Sequence, residues 1–210
     1  MCGIAGAHGL EAFQGLADAT ARVRDMVAQI AHRGPDAEGV WSDEEYVVLG
    51  HRRLSILDTG KGANQPFQIG DDVLVFNGEV YNYLELRREL EAAGAHRFST
   101  QGDTEVVLAA LRHWGLEGAL KRFNGMFALA WWSAAERRLM LVRDRLGIKP
   151  LYWHQTPEGT LLFASEVRAL LASGKVRRAL NRDAVAGQWM YGTVHAPATI
   201  VSGVQLLEPG

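Results

Sequence analysis

The chain has 210 residues, 48% of them hydrophobic and 22% charged, with a formal net charge of −2. That balance describes a globular domain with a full core. The absence of any block of like charge excludes nucleic acid and an anionic membrane as principal partners. No apolar run is long enough to cross a bilayer, and the first residues lack the pattern of a signal peptide, so a cytoplasmic location is expected.

In chain order, "GIAGA" (3–7) reads as a strand. Residues 17–31 place Val23, Met26, Val27 and Ile30 on one helical face, and Gly34-Pro35-Asp36 breaks that helix. "GVWS" and "YVVLGH" flank the turn-rich Asp43-Glu44-Glu45 and predict a hairpin. "DTGKGANQP" (58–66) is a polar, glycine-rich loop, and "DVLVFNG" (72–78) is a further strand. Helices follow around 82–93 and 104–114, the second presenting Val107, Ala110, Leu111 and Trp114 on one side.

From Gly125 the texture changes to short strands: "MFALAWWS", "RLMLVRD", "PLYWHQ" and "TLLFASE". "SAAERR" and "TPEG" make turns between neighbours, so an antiparallel meander is expected. A helix is predicted over 166–172 and another from Asn181, a good N-cap. "APATIVSGVQLLEPG" (196–210) reads as loop. Helices covering both faces of a β-rich centre imply stacked sheets in an α+β sandwich.

Seven histidines are scattered with no HxxxH pair or acidic cluster, so no metal site is expected. Lys61 sits in "SILDTGKG", where Ser55 replaces the glycine of a phosphate-binding loop and no Ser or Thr follows the lysine. The single cysteine, Cys2, excludes a disulfide framework and a thiolate-rich zinc centre. Its position leaves two readings open, a small residue on a first strand or a nucleophile. Met1 is removable when the next residue is small. Cys2 would then carry a thiol and a free α-amine together. With a pKa of about 7.7–8.0 the amine is a usable base at neutral pH, and the thiol is intrinsically nucleophilic.

The words "MCGIAG", "HRGPDAEGVW", "GHRRLSILD", "QPF", "VFNGEVYNYLELRREL", "QGDTEV", "FNGMFALAWW", "RDRLGIKPLYW" and "FASEVRALLASG" occur in this order along the chain. Together they closely resemble the glutaminase domain of glutamine-hydrolysing asparagine synthetases. That is a class II glutamine amidotransferase domain of the N-terminal-nucleophile hydrolase fold. The resemblance implies an α+β, four-layer αββα sandwich, with two antiparallel sheets between helical layers.

By the same resemblance Cys2 attacks the side-chain amide of L-glutamine, releases ammonia and leaves a thioester that water hydrolyses. Asn77 and the N–H of Gly78 would hold the oxyanion, although Asn-Gly alone is the strongest short hairpin signal. Arg53 would grip the substrate α-carboxylate and Asp103 its α-ammonium, while Asp103 alone also reads as an N-cap for a helix from Thr104. Leu54, Ser55, Ile56 and Leu57 would line the pocket and Glu79 would accept from the substrate. Arg33 is expected either to support the nucleophile strand or to stabilise a turn, and Arg52 to lie at the surface. "RDRLGIKPLYW" is expected to be architectural, lying towards a partner domain and the ammonia route.

The resemblance further divides the chain into a glutaminase domain (2–180) and a C-terminal helix and connector (181–210). The latter leads towards a synthetase domain, which this sequence does not include and which could instead be a separate chain. No cofactor is expected in this domain. ATP and magnesium belong to the absent synthetase part, whose "SGGxDS" loop is not found. Self-association as a homodimer is also expected.

Overall fold

The strand expected over "GIAGA" forms as β1 (Gly3–His8), followed by α1 (Leu16–Gln29) and a single 3₁₀ turn (Ala31–Arg33) before Gly34. The computed structural model describes residues 1–56, 58 and 60–210, the side chain of Lys61 apart. The expected hairpin is β2 (Ala37–Ser42) and β3 (Val47–Arg53). A 3₁₀ turn (Lys61–Ala63) and a short strand, β4 (Phe67–Ile69), lead into β5 (Asp72–Val80). Helices α2 (Tyr83–Ala92) and α3 (Asp103–Arg122) come next. They are followed by β6 (Gly125–Ser133), β7 (Arg138–Arg143), β8 (Tyr152–Gln155) and β9 (Leu161–Ala164), then α4 (Val167–Ala172), α5 (Arg182–Tyr191) and β10 (Gln205–Leu206).

Two antiparallel sheets result, of six strands in the order β10-β8-β9-β1-β3-β2 and four in the order β4-β5-β6-β7. Period-two alternation along the strands divides the apolar residues among three cores. Ala5, Ala7, Val48 and Leu162 face α1 and α4, where Val23, Met26, Val27 and Leu170 meet them. Ile4, Val47 and Leu49 point the other way, into the gap between the sheets, against Val73, Val75, Ala128 and Trp132. On the far side Leu74, Phe76 and Leu129 pack under Leu86, Leu90, Val107 and Leu111 of α2 and α3. Three cores between four layers make the αββα sandwich that the sequence led us to expect.

Three elements differ from the sequence reading. The helix expected to stop near Trp114 resumes beyond Gly115, whose φ of 70° interrupts it, and runs to Arg122. Glycine permits that left-handed step, and Ala119 beyond it is buried in the α2–α3 core. The four later strands are not one meander: β6 and β7 pair in the four-stranded sheet, β8 and β9 in the six-stranded one. Residues 144–151 carry the chain across. The C-terminal segment is not all loop, since β10 pairs with β8, and Val201 and Val204 are buried against the first core. Asn181 caps α5 as expected, its Oδ1 accepting from the N–H groups of Asp183 and Ala184.

Candidate active site

Cys2 directly precedes β1, an inner strand of its sheet. The register pairs Gly3 with Arg52, so one step further Cys2 stands opposite Arg53 at the end of β3. Side chains of one parity in this pair face the inter-sheet gap, as Ile4 and Leu49 do. Cys2 and Arg53 share that parity and lie where the gap opens. The thiol is held at the strand end: Sγ accepts from Leu54 N–H at 3.4 Å and lies 3.7 Å from Leu54 O. Arg33 Nε donates to the Cys2 carbonyl at 2.9 Å, while its Nη1 pairs with Glu166 at 3.0 Å. Arg33 therefore supports the nucleophile strand, the first of its two expected readings. Close packing fixes the same corner. A Cβ on Gly34 would collide with the backbone of Arg52 and Arg53, so glycine is required there. Arg52 turns away and pairs with Glu38 at 2.6 Å.

The opposite wall is β5. Asn77 and Gly78 do not form a hairpin turn; they lie inside the strand, paired with Ala128 and Phe127 of β6. Turn propensity is overridden because the strand continues to Val80, and Gly78 is needed for closeness: a Cβ there would strike Met126 O and the Phe127 backbone. Which way the Gly78 N–H points follows from its neighbours. Phe127 spends its own N–H and C=O on Asp144, so the Gly78–Phe127 pair exchanges no ladder bonds. Along the free edge of β5, Phe76 N–H donates to Gln65 Oε1 at 2.6 Å and Val80 N–H to Asp103 Oδ2 at 3.0 Å. Gly78, two residues from each, aims its N–H at the same edge.

Beside it the Asn77 side chain is 1% exposed, and its Nδ2 has no hydrogen-bond partner among the described residues. A buried amide donor without an acceptor is costly unless something else fills that place. Sequence pattern alone could not reveal this orphaned donor.

Asp103 is the first residue of α3, and Gly102 is its N-cap, so the carboxylate does not cap a helix from Thr104. Burial raises its pKa to about 6, against the opposing pull of the Val80 N–H, and Glu79 adds to the rise. Arg53 is 7% exposed and organises the loop after β3. Its Nη1 donates to Gly60 O at 2.8 Å and Asn64 Oδ1 at 2.6 Å, and its Nη2 to Asp58 O.

These groups enclose one cavity of about 140 Å³, lined among others by Cys2, Arg53, Asn77, Gly78, Glu79 and Asp103. Leu54 and Ile56 also line it. Ser55 does not reach it and instead gives its N–H to Asp36 at 2.7 Å. Leu57 lies outside the described residues. Gln65 and Lys149 are among the lining side chains that escaped the sequence reading. Gln65 holds the edge of β5, and Lys149 enters from "RDRLGIKPLYW", the segment expected to be architectural. "QPF" was part of the resemblance and could have drawn attention to Gln65; nothing in the spacing of Lys149 marks it. Among the described residues no group of three or more His, Cys, Asp or Glu is gathered as a metal would require.

A thiol at the head of an inner strand, between two antiparallel sheets flanked by helices, defines the N-terminal-nucleophile type of hydrolase fold. Phosphoribosylpyrophosphate amidotransferase of B. subtilis, solved with ADP and GMP, shares it with a TM-score of 0.69 and 21% identity, over 86% of this chain and 45% of that one. A family profile described as a glutamine amidotransferase domain matches residues 1–210, and the chain belongs to that family. It is 40% identical to asparagine synthetase [glutamine-hydrolyzing] 1 of Bacillus subtilis, over 100% of this chain and 33% of that protein. A putative asparagine synthetase of Mycobacterium tuberculosis H37Rv is 39% identical over 100% of this chain and 34% of its own length. The chain thus spans about a third of these relatives.

Proposed function

We propose that this domain hydrolyses the side-chain amide of L-glutamine to glutamate and ammonia through a Cys2 thioester. The observation that carries the reading is the orphaned Asn77 amide in the cavity that holds the Cys2 thiol. With Met1 removed, the Cys2 α-amine takes the thiol proton as sulfur attacks the amide carbon. The carbonyl oxygen becomes an oxyanion facing Asn77 Nδ2 and the Gly78 N–H. Collapse expels ammonia, which leaves with the proton the amine had taken. Water then attacks the thioester, and glutamate departs as the thiol is restored.

Recognition of the amino-acid end follows from charge. Arg53, its Nη groups held by Gly60 O, Asn64 Oδ1 and Asp58 O, brings a fixed positive charge to the cavity for an α-carboxylate, and Asp103 with Glu79 offers carboxylates to an α-ammonium. Leu54 and Ile56 supply apolar and backbone contact to the chain between.

We further propose that the ammonia serves an ATP-dependent amidation of the asparagine-synthetase kind, on a following domain or a separate chain, with residues 181–210 as the connector. Two observations support a partner surface: Leu146 and Ile148 are exposed beside the cavity's Lys149, and Trp189, Met190 and Tyr191 are exposed on α5. A homodimer would use the same surface. The reaction is taken to be cytoplasmic; no helix among the described residues is long and apolar enough to cross a membrane. Amide cleavage itself should need no cofactor. Purified chain beginning at Cys2, given glutamine alone, should release glutamate and ammonia without ATP or magnesium. A strict requirement for ATP would overturn the proposal.

A further inference from the structure

Residues 144–150 (DRLGIKP) close between β7 and β8 around one buried carboxylate. Asp144, 1% exposed, accepts from the N–H groups of Phe127 and Leu146 at 3.2 Å and of Ile148 and Lys149 at 2.9 Å. Arg143 holds the other side, donating to the carbonyls of Gly147, Lys149 and Leu207. Both backbone groups of Lys149 are therefore used in closing the loop, and its side chain is not.

That side chain turns inwards. With Met1 in place Lys149 is 4% exposed, and it lines the cavity with Cys2 and Asn77. Its Nζ lies 3.0 Å from Met1 Sδ, a soft acceptor that leaves when Met1 is removed. Among the described residues no carboxylate lies within ion-pair distance of it. A buried ammonium with no anion is unfavourable unless an anion arrives. Its neighbour Asp144 attracts it without a direct ion pair, its oxygens accepting from backbone N–H groups.

We propose that Lys149 supplies the counter-charge at the reacting end of the cavity, stabilising negative charge on the Cys2 sulfur and on the intermediate formed there. This rests on the glutaminase reading above. The other charged groups around the cavity have partners or a different task. Arg33 lies outside the cavity lining, with Nε on the Cys2 carbonyl and Nη1 on Glu166, and Arg53 is assigned to the α-carboxylate end. Asp58 from that loop, Glu79 from β5 and Asp103 from α3 all add negative charge, which opposes a thiolate. Burial and the Arg33 charge lower the Lys149 pKa, while Asp144, Cys2 and Glu79 pull it back.

Lys149→Met keeps the apolar stem and both backbone bonds and removes only the charge. Alkylation of Cys2 by iodoacetamide against pH, in the chain beginning at Cys2, reads the thiolate without glutamine. The profile should move up by about one pH unit, making alkylation about tenfold slower on its rising limb. In the glutaminase assay kcat should fall with little change in KM. Lys149→Gln should give the same shift, and Lys149→Arg, which retains the charge, should restore the native profile. An unshifted profile in a variant that still melts cooperatively would overturn the proposal. A native chain that alkylates normally but never hydrolyses glutamine would instead overturn the function proposed above.

Discussion

Asn77 and Asp103 are both buried polar residues that the fold alone leaves poorly compensated, and each deficit makes a separate prediction. Asn77→Ala removes one oxyanion donor and should lower kcat by roughly 10²–10³ with little change in KM. If steady-state kinetics showed only a rise in KM, Asn77 would be a binding residue and no more. Asp103 has a folded-state pKa of about 6, above the ordinary carboxyl value of about 3.9. The folded protein thus holds that proton more tightly than the unfolded chain does. The cost of its charge is absent below about pH 4, grows from about pH 4 to 6, and is complete above that, so stability from this group falls as pH rises. A two-unit shift is worth about 3 kcal/mol. Asp103→Asn, which can still accept from Val80 N–H, should therefore stabilise the protein by up to about 3 kcal/mol at pH 8 and far less at pH 4. It should also weaken glutamine binding. Urea melts at the two pH values check the first outcome; equal ΔΔG at both would contradict the origin of the shift.

Among the elements, those that hold the site differ in how visible they are in sequence. β1, α1, the β2–β3 hairpin, β5 and the α5 cap are legible because period, turn residues and capping all agree locally. Cys2, Arg53, Asn77, Gly78, Glu79 and Asp103 were picked out by motif resemblance, and the structure brings them to one cavity. Local sequence said less about why. It could not say that Asn77-Gly78 lies mid-strand, since that depends on β6 approaching too closely for any Cβ at 78. It could not say that two similar hairpins belong to different sheets, since β6–β7 and β8–β9 carry the same alternation. Lys149 was missed because its placement is set by a loop wound around Asp144, a contact between backbone groups and one carboxylate. That loop makes its own prediction. Although burial opposes ionisation of Asp144, its N–H donors outweigh burial and hold its pKa below the usual carboxyl value. Asp144→Ala would strand those donors and should cost at least about 3 kcal/mol, with loss of activity because Lys149 is displaced. A change under about 1 kcal/mol would mean that the loop is held by Arg143 alone.

Taken whole, the molecule joins two sheets so that one contributes Cys2 and the Arg53 guanidinium, and the other Asn77, Gly78 and Glu79, with Asp103 added from α3. Neither sheet has a site without the other, and the inter-sheet core of Ile4, Leu49, Val75 and Ala128 fixes their separation. The central claim is that Cys2 acts as both nucleophile and base, which requires its α-amine to be free. The most direct test compares two preparations whose N-termini are verified by mass, one beginning at Cys2 and one retaining a blocked extension before it. Glutamate release from glutamine should be robust in the first and abolished in the second, with both chains melting alike. Equal glutamate release from the blocked chain would contradict the account.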